Sequence, residues 1–165
     1  MQILTYHTLS RHEWHEMSIE GGKLLNFSQF DVATMNIDRS IDLSHVDHFV
    51  LTVRDIPTTC EFYARLGMEV VTFGDRKALQ FGQQKINLHQ AGQEIEPKAQ
   101  RPTPGSADFC LLVRTPIEAV VTYLESEGIA IESDIVSRTG ATGKLRSIYI
   151  RDPDGNLLEL SNSDD

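Results

Sequence analysis

The stretch HVDHFVLTVRD, residues 45–55, carries the pattern that determines the fold. Phe49, Leu51 and Val53 alternate along it, as expected for a strand that buries one face. His48 begins the opposite face, and an imidazole costs free energy to bury unless another group binds it. The stretch therefore predicts a core strand whose second face carries a side chain that binds another group.

The pattern occurs twice along the chain. A first unit, at about residues 45–92, reads as a strand, a helix that ends at a glycine, and three further strands. A second unit, at about residues 106–163, repeats this order after a proline-containing linker. We therefore predict an α+β fold in which residues 45–163 form two tandem βαβββ modules and a cupped mixed sheet. Residues 1–40 lack such patterning and are predicted to be an irregular arm, with Met35 as an alternative start.

Composition excludes several classes of protein. The 165 residues carry a formal net charge of −9, from 15 basic and 24 acidic residues, which argues against nucleic-acid and anionic-membrane partners. No window approaches the roughly 18 apolar residues of a transmembrane helix, and no secretory signal is recognisable. Cys60 and Cys110 are too few for a disulfide framework and are expected to be packing residues. A cytoplasmic location is the resulting expectation.

Four polar residues interrupt the aliphatic pattern of the first and last strands of the two units. His48 and Asp108 occupy the same register in the first strands, while His89 and Glu159 fall in the last strands. If each helix covers the aliphatic face of its own sheet, all of them point to the opposite face and converge there.

A divalent metal would explain this convergence, because it offsets the cost of burying carboxylates together. The mixed nitrogen and oxygen donor set suits Zn, Ni, Co, Mn or Fe(II). Each residue also has a simpler interpretation when taken alone. His48 or His89 can be a hydrogen-bonded edge residue, Asp108 can cap a turn, and Glu159 can pair with an arginine. The matching register in both units favours the metal site.

Residues 45–162 resemble the vicinal oxygen chelate superfamily, which includes glyoxalase I, extradiol dioxygenases and fosfomycin-resistance thiol transferases. The resemblance rests on VDHFVLTVRDIPTTCEFYARLGMEVV, INLHQAG and RTGATGKLRSIYIRDPDGNLLELS. It is nearest to small glyoxalase domain-containing proteins and their bacterial relatives, some labelled virulence proteins. The likeness implies paired modules around a divalent metal, with ligands at His48, His89, Asp108 and Glu159. It also implies that Glu159 moves the proton during catalysis, and that the protein is a homodimer.

The chain departs from the better-known branches at two of these positions. Glyoxalase I usually has a carboxylate where His89 stands and a histidine where Asp108 stands. Extradiol dioxygenases bind Fe(II) with histidines and one carboxylate, and they too have a histidine at the Asp108 position. Asp108 therefore weakens the dioxygenase interpretation and leaves the reaction type open.

Substrate contacts are predicted in the glycine-flanked segment near the C-terminus. Lys144 and Arg146 are candidates to neutralise an anionic substrate group, or else are solvated charges at a strand edge. Tyr149 shares a face with Ser147 by alternation and is a candidate to line the pocket.

Three functional hypotheses follow. The leading one is a metal-dependent glyoxalase-type lyase or isomerase that transfers a proton on a small molecule with vicinal oxygens, as lactoylglutathione lyase does. The second is an Fe(II) extradiol-type dioxygenase. The third is a metal-free module that binds a small molecule, as bleomycin-resistance proteins do.

Overall fold

A computed structural model describes residues 41–164 with their side chains and, before them, only the backbone of two strands, β1 (Met17–Glu20) and β2 (Lys23–Asn26). These two strands pair antiparallel. The rest of the predicted arm, residues 1–40, lies outside the described residues. The larger of two compact units, residues 45–165, contains both repeats.

The first module has its five elements in βαβββ order. They are β3 (His48–Val53), α1 (Ile56–Arg65), β4 (Glu69–Phe73), β5 (Arg76–Phe81) and β6 (Gln84–Gln90). Its sheet has the order β3-β6-β5-β4, in which β3 and β6 run parallel and the other neighbours run antiparallel. The first and last strands of the module are therefore side by side.

The second module repeats this topology. Its elements are β7 (Asp108–Leu112), α2 (Ile117–Ser126), β8 (Val136–Thr139), β9 (Lys144–Arg151) and β10 (Leu157–Ser163). The sheet order is β7-β10-β9-β8, again with the first and last strands parallel. The predicted α+β fold of tandem βαβββ modules is confirmed. No helix in the described part of the chain is long and apolar enough to cross a membrane.

Of the three strands that the repeat predicts after the second helix, the first, expected near IAIESDIV at residues 129–136, forms only at its last residue. Ile131 forms only an isolated bridge to Ile150, and β8 does not begin until Val136. The interruption lies at Ser133 and Asp134, where the backbone bends. Serine and aspartate favour such bends because their side chains compete for backbone hydrogen bonds.

The aliphatic faces of both sheets contribute to one core. The buried residues that alternate along β3, β6, β9 and β10 are Leu51, Val53, Ile86, Leu88, Ile148, Ile150, Leu158 and Leu160. The edge strands β3 and β7 are linked by an edge-to-face contact of Phe49 with Phe109, whose ring centroids lie 5.2 Å apart. The polar residues take the opposite face of each sheet, as the alternation predicts.

The turn DPDGN between β9 and β10 buries its polar side chains and joins the two modules through hydrogen bonds. Asp152 Oδ2 accepts from the Tyr63 hydroxyl of α1 at 3.0 Å and from Asn156 Nδ2 at 2.7 Å. Its Oδ1 accepts from the backbone N–H groups of Asp154 and Asn156, both at 2.9 Å. The Arg54 N–H donates to both carboxylate oxygens of Asp154 at 3.1 Å. Burial, and then the Asp152 carboxylate, raise the pKa of Tyr63.

The linker approaches this turn at Gly105, where φ is +76° and an added Cβ would lie 2.4 Å from the carbonyl oxygen of Asp154. Gly155 also has a positive φ, +90°, but open space around it. We expect Gly105→Ala to lower the free energy of unfolding by roughly 1–3 kcal/mol more than Gly155→Ala does. Only at position 105 would the added methyl group push away the backbone of Asp154. Urea denaturation of both variants measures the difference. Equal losses would show that the close approach contributes nothing.

Candidate functional site

The open face of the second module has a cavity of about 430 Å³ that contains several predicted site residues. Asp108 on β7, Glu159 on β10 and Tyr149 on β9 line it, together with Arg138 and Arg151. Tyr149 and Glu159 are direct cross-strand partners. The sheet therefore places two carboxylates and a phenol around one small space.

Glu159 is oriented by neighbouring hydroxyl groups. Ser161 Oγ donates to Glu159 Oε1 at 3.3 Å and lies 2.8 Å from Ser147 Oγ, and both serines are fully buried. Cys110, the partner of Glu159 on β7, lies 3.3 Å from Ser161 Oγ through its Sγ. Burial raises the pKa of the Cys110 thiol, which keeps it protonated and makes it a poor nucleophile.

The open face of the first module is partly covered by the linker. His89, only 8% exposed, lines a cavity of about 370 Å³ with Val50 and Thr52 of β3. Linker residues 97–99 and Pro102 form the other side of this cavity. Within the chain, His89 therefore faces the linker.

His48 begins the same face in a more open position. Its side chain is 47% exposed, and its Nδ1 lies 2.6 Å from Asp47 Oδ1. This hydrogen bond lowers the pKa of the Asp47 carboxyl. His48 pairs in register with Lys85, whereas His89 pairs with Thr52. At about 3.3 Å per residue, the two histidines are therefore separated by about 13 Å along the strand direction.

Strand register identifies Asn87 as a candidate that the sequence analysis missed. Asn87 is the partner of Val50, two residues beyond His48, just as Glu159 is the partner of Cys110, two residues beyond Asp108. Asn87, rather than His89, thus holds the position of Glu159 in the first module. Its buried Oδ1 has no hydrogen-bond partner among the described residues. Buried polar atoms without a partner are uncommon in folded proteins, which marks this oxygen as a potential ligand.

The predicted quartet does not assemble within one chain. Asp108 and Glu159 share a cavity, while His89 lies in a different one. Among residues 41–164 and the two N-terminal strands, no three His, Cys, Asp or Glu side chains are grouped to hold a metal. Within one chain the four residues therefore do not converge, and their convergence stays a prediction for an assembly of two chains. Both sheets turn their aliphatic faces to a common core, so their polar faces lie on the outside of that core.

Two of the predicted substrate-binding residues lie away from this face. Arg146 is on the opposite side of β9 from Tyr149 and forms an ion pair with Glu118 of α2, with Nη2 and Oε1 2.5 Å apart. Lys144 has the same strand parity as Arg146 and is exposed. A basic residue that the sequence analysis did not single out, Arg138 of β8, does line the cavity, and its Nε donates to the Tyr149 hydroxyl at 2.8 Å.

Several known proteins are similar to this chain in sequence and in fold. Virulence protein STM3117 of Salmonella typhimurium is 55% identical over 139 residues, which cover 83% of this chain and 92% of that protein. Its crystal structure superposes with a TM-score of 0.74 at 58% identity, covering 74% of this chain and 99% of that one. Glyoxalase domain-containing protein RDO1 of Mycosarcoma maydis is 51% identical over 128 residues, covering 77% and 73% of the two chains. Lactoylglutathione lyase from Agrobacterium tumefaciens matches with a TM-score of 0.56 at 25% identity, covering 73% and 94%.

A family model, the glyoxalase/bleomycin resistance protein/dioxygenase superfamily, matches residues 45–160. This range contains the first module, all but the last three residues of the second, and every candidate residue from His48 to Glu159. The chain therefore belongs to the glyoxalase/bleomycin resistance protein/dioxygenase superfamily.

Proposed function

We propose that this protein is a metal-dependent glyoxalase-type lyase or isomerase whose site is shared between the two chains of a homodimer. The first module of one chain supplies His48, with Asn87 or His89 as the next ligand, and the second module of the other supplies Asp108 and Glu159. The observation that carries the proposal is the division of the candidate ligands into two half-sites on equivalent open faces. One half alone has too few donors for a closed metal shell.

The donor chemistry of the two halves fits a divalent cation. Imidazole nitrogen and carboxylate oxygen together suit Zn, Ni, Co, Mn or Fe(II), and the unpartnered Asn87 Oδ1 is a further oxygen donor. Strand register favours Asn87 over His89. The strand partner of Asn87, Val50, lies two residues beyond His48, whereas the strand partner of His89, Thr52, lies four residues beyond it. A bound cation polarises neighbouring substrate oxygens and makes the adjacent C–H more acidic.

Glu159 is the residue placed to move the substrate proton. Ser161 binds its Oε1 and restrains the carboxylate. Oε2 has no hydrogen-bond partner among the described side chains, so it is the oxygen that accepts the proton. A restrained base that already lies next to the reacting carbon needs little reorganisation during the transfer. A substrate with vicinal oxygens and an acidic C–H between them suits this arrangement.

Exposed apolar residues on the edge strands support pairing between chains. Val50 and Leu112, on the open faces of β3 and β7, are 45% and 66% exposed, and Val46 just before β3 is 61% exposed. A groove of about 1160 Å³ runs between these edges, next to Phe49 and Phe109. Covering such residues with a second copy stabilises the dimer and brings one chain's first module to the other's second module.

Metal content tests the proposed function directly. We expect about one equivalent of divalent metal per chain in the wild type and loss of that metal in Asp108→Asn and Glu159→Gln. Glu132→Gln is the matched control, because Glu132 lines the same cavity but forms an ion pair with Arg151 at 3.0 Å. Comparing Asn87→Ala with His89→Ala identifies the ligand of the first module. Mass spectrometry of untagged protein, before and after incubation with each metal, measures the metal content per chain.

The identity of the metal distinguishes the alternatives. Nickel, cobalt or zinc fits the glyoxalase-type reaction, whereas iron favours the extradiol-type dioxygenase. A wild-type protein that stays metal-free after incubation with each metal contradicts the enzyme proposal and leaves the small-molecule-binding module.

A further inference from the structure

Arg138 lines the Asp108–Glu159 cavity and, among the residues that the structure describes, has no carboxylate partner. The other charged residues that line the cavity are Asp108, Glu132, Arg151 and Glu159. Arg151 is matched by Glu132, with Nε and Oε1 3.0 Å apart. Arg138 instead donates Nε to the Tyr149 hydroxyl and Nη1 to the Ser137 carbonyl, and among the described residues no carboxylate lies within ion-pair distance of it.

The contact between Arg138 and Tyr149 leaves donors that face the cavity. The guanidinium carbon lies 5.4 Å from the centre of the Tyr149 ring, which is within cation–π distance, and the two groups are also hydrogen bonded. Because the Tyr149 oxygen accepts from Arg138, the hydroxyl proton is free to donate elsewhere. Arg138 Nη2 has no partner among the described residues. One guanidinium N–H and one O–H are therefore held side by side.

A buried hydroxyl near this pair also lacks a partner. Ser133 lines the same cavity, and its Oγ is buried without a hydrogen bond to any described residue. Tyr149 is the direct strand partner of Glu159, so these donors lie next to the carboxylate that we propose as the base. When a cation neutralises Asp108 and Glu159, Arg138 becomes the uncompensated charge of the cavity.

We propose that Arg138 and Tyr149 form a subsite for a substrate carboxylate that is separate from the vicinal oxygens. The inference rests on the proposed function, because those vicinal oxygens occupy the shared metal site. Two adjacent donors match the two oxygens of a planar carboxylate, and a phosphate would leave more of its oxygens unbound. The substrate class is thus a small hydroxy or oxo acid with a second carboxylate.

Malate and lactate are suitable probes because both are 2-hydroxy acids and only malate has the second carboxylate. In metal-loaded protein we expect Arg138→Gln to weaken malate binding about tenfold or more and to leave lactate binding unchanged. Tyr149→Phe should weaken malate binding by a smaller factor. Arg146→Gln is the matched control, since it removes the same charge from the opposite face of the sheet. Isothermal titration calorimetry measures the affinities, and metal content is determined for each variant.

A second arm separates this inference from the proposed function. In metal-free Asp108→Asn/Glu159→Gln protein, the two carboxylates are neutral without a metal, and malate binding should still depend on Arg138. Unchanged malate affinity in Arg138→Gln, or an equal loss in Arg146→Gln, would overturn the subsite. Arg138-dependent binding of inorganic phosphate that is tighter than that of malate would overturn the carboxylate assignment. Failure to bind metal in the wild type, with a positive second arm, would remove the proposed function alone.

Discussion

Asp152→Ala is expected to lower the free energy of unfolding by about 4 kcal/mol, because it leaves several buried hydrogen-bond donors without an acceptor. The Asp152 carboxylate is 6% exposed and accepts hydrogen bonds from Tyr63, Asn156 and the N–H of Asp154. Alanine leaves these donors buried without a partner, and each then loses its hydration without compensation. Because Tyr63 belongs to the other module, the packing between modules should weaken together with the turn.

The stability of three further variants shows whether this loss is specific to the hydrogen bonds of Asp152. Asp134→Ala, at an exposed position of the same module, should change stability by no more than about 0.5 kcal/mol. Tyr63→Phe should cost about 2 kcal/mol in the wild type, because its hydroxyl donates to a charged acceptor. The same change should cost less in the Asp152→Ala background, where that acceptor is already lost. Guanidinium denaturation of the wild type and the four variants, including the Tyr63→Phe/Asp152→Ala double variant, measures these differences. Additive losses would show that Tyr63 and Asp152 do not act together.

Mixing two metal-free variants should restore metal binding if the site is shared. His48→Ala and Glu159→Ala remove ligands from different half-sites. A dimer with one chain of each type therefore has one site with both lesions and one intact site. With random exchange, half of the dimers are mixed, and we expect about 0.25 equivalents of metal per chain against about one in the wild type. Metal analysis after unfolding and refolding the variants together is the measurement.

A matched mixture tests the geometry of sharing. Asp108→Ala and Glu159→Ala lie on the same half-site, so every pairing of these two chains leaves both sites damaged. That mixture should stay metal-free. Native mass spectrometry of isotopically labelled chains confirms that exchange has occurred. Recovery in both mixtures, or in neither after confirmed exchange, contradicts a site shared between the first and second modules.

Alternation along strands is sufficient to predict the fold and the faces of the sheets. Leu51 and Val53 are buried and His48 lies on the opposite face, as their spacing indicates, although alternation does not show that His48 is exposed within the chain. The same rule accounts for one error, since Arg146 and Tyr149 are three residues apart and must lie on opposite faces of β9. Arg146 could therefore have been assigned to the helix side from the sequence. Its partner there, Glu118, lies on a separate element and could not be read from the pattern.

Other features depend on register, which alternation does not reveal. Asn87 and His89 share a face, and only the pairing of β6 with β3 shows that Asn87 is equivalent to Glu159. The pairing of β8 with β9 places Arg138 opposite Leu145, and therefore on the same face of the sheet as Tyr149, which its side chain contacts. The separation of the two half-sites could not be predicted from alternation either, because the strand pattern of the modules is the same whether they pair within a chain or between chains.

The equivalent positions of the two modules differ in charge, and this difference gives the proposed dimer a preferred orientation. Where the first module has His48 and Asn87, the second has Asp108 and Glu159. Pairing of two second modules would bring the Asp108 and Glu159 carboxylates of both chains into one cleft, where like charges repel. Pairing of two first modules would leave a cation without an anionic ligand. The charge difference between the two modules thus favours pairing of a first module with a second module, and this is also the pairing that completes the proposed site.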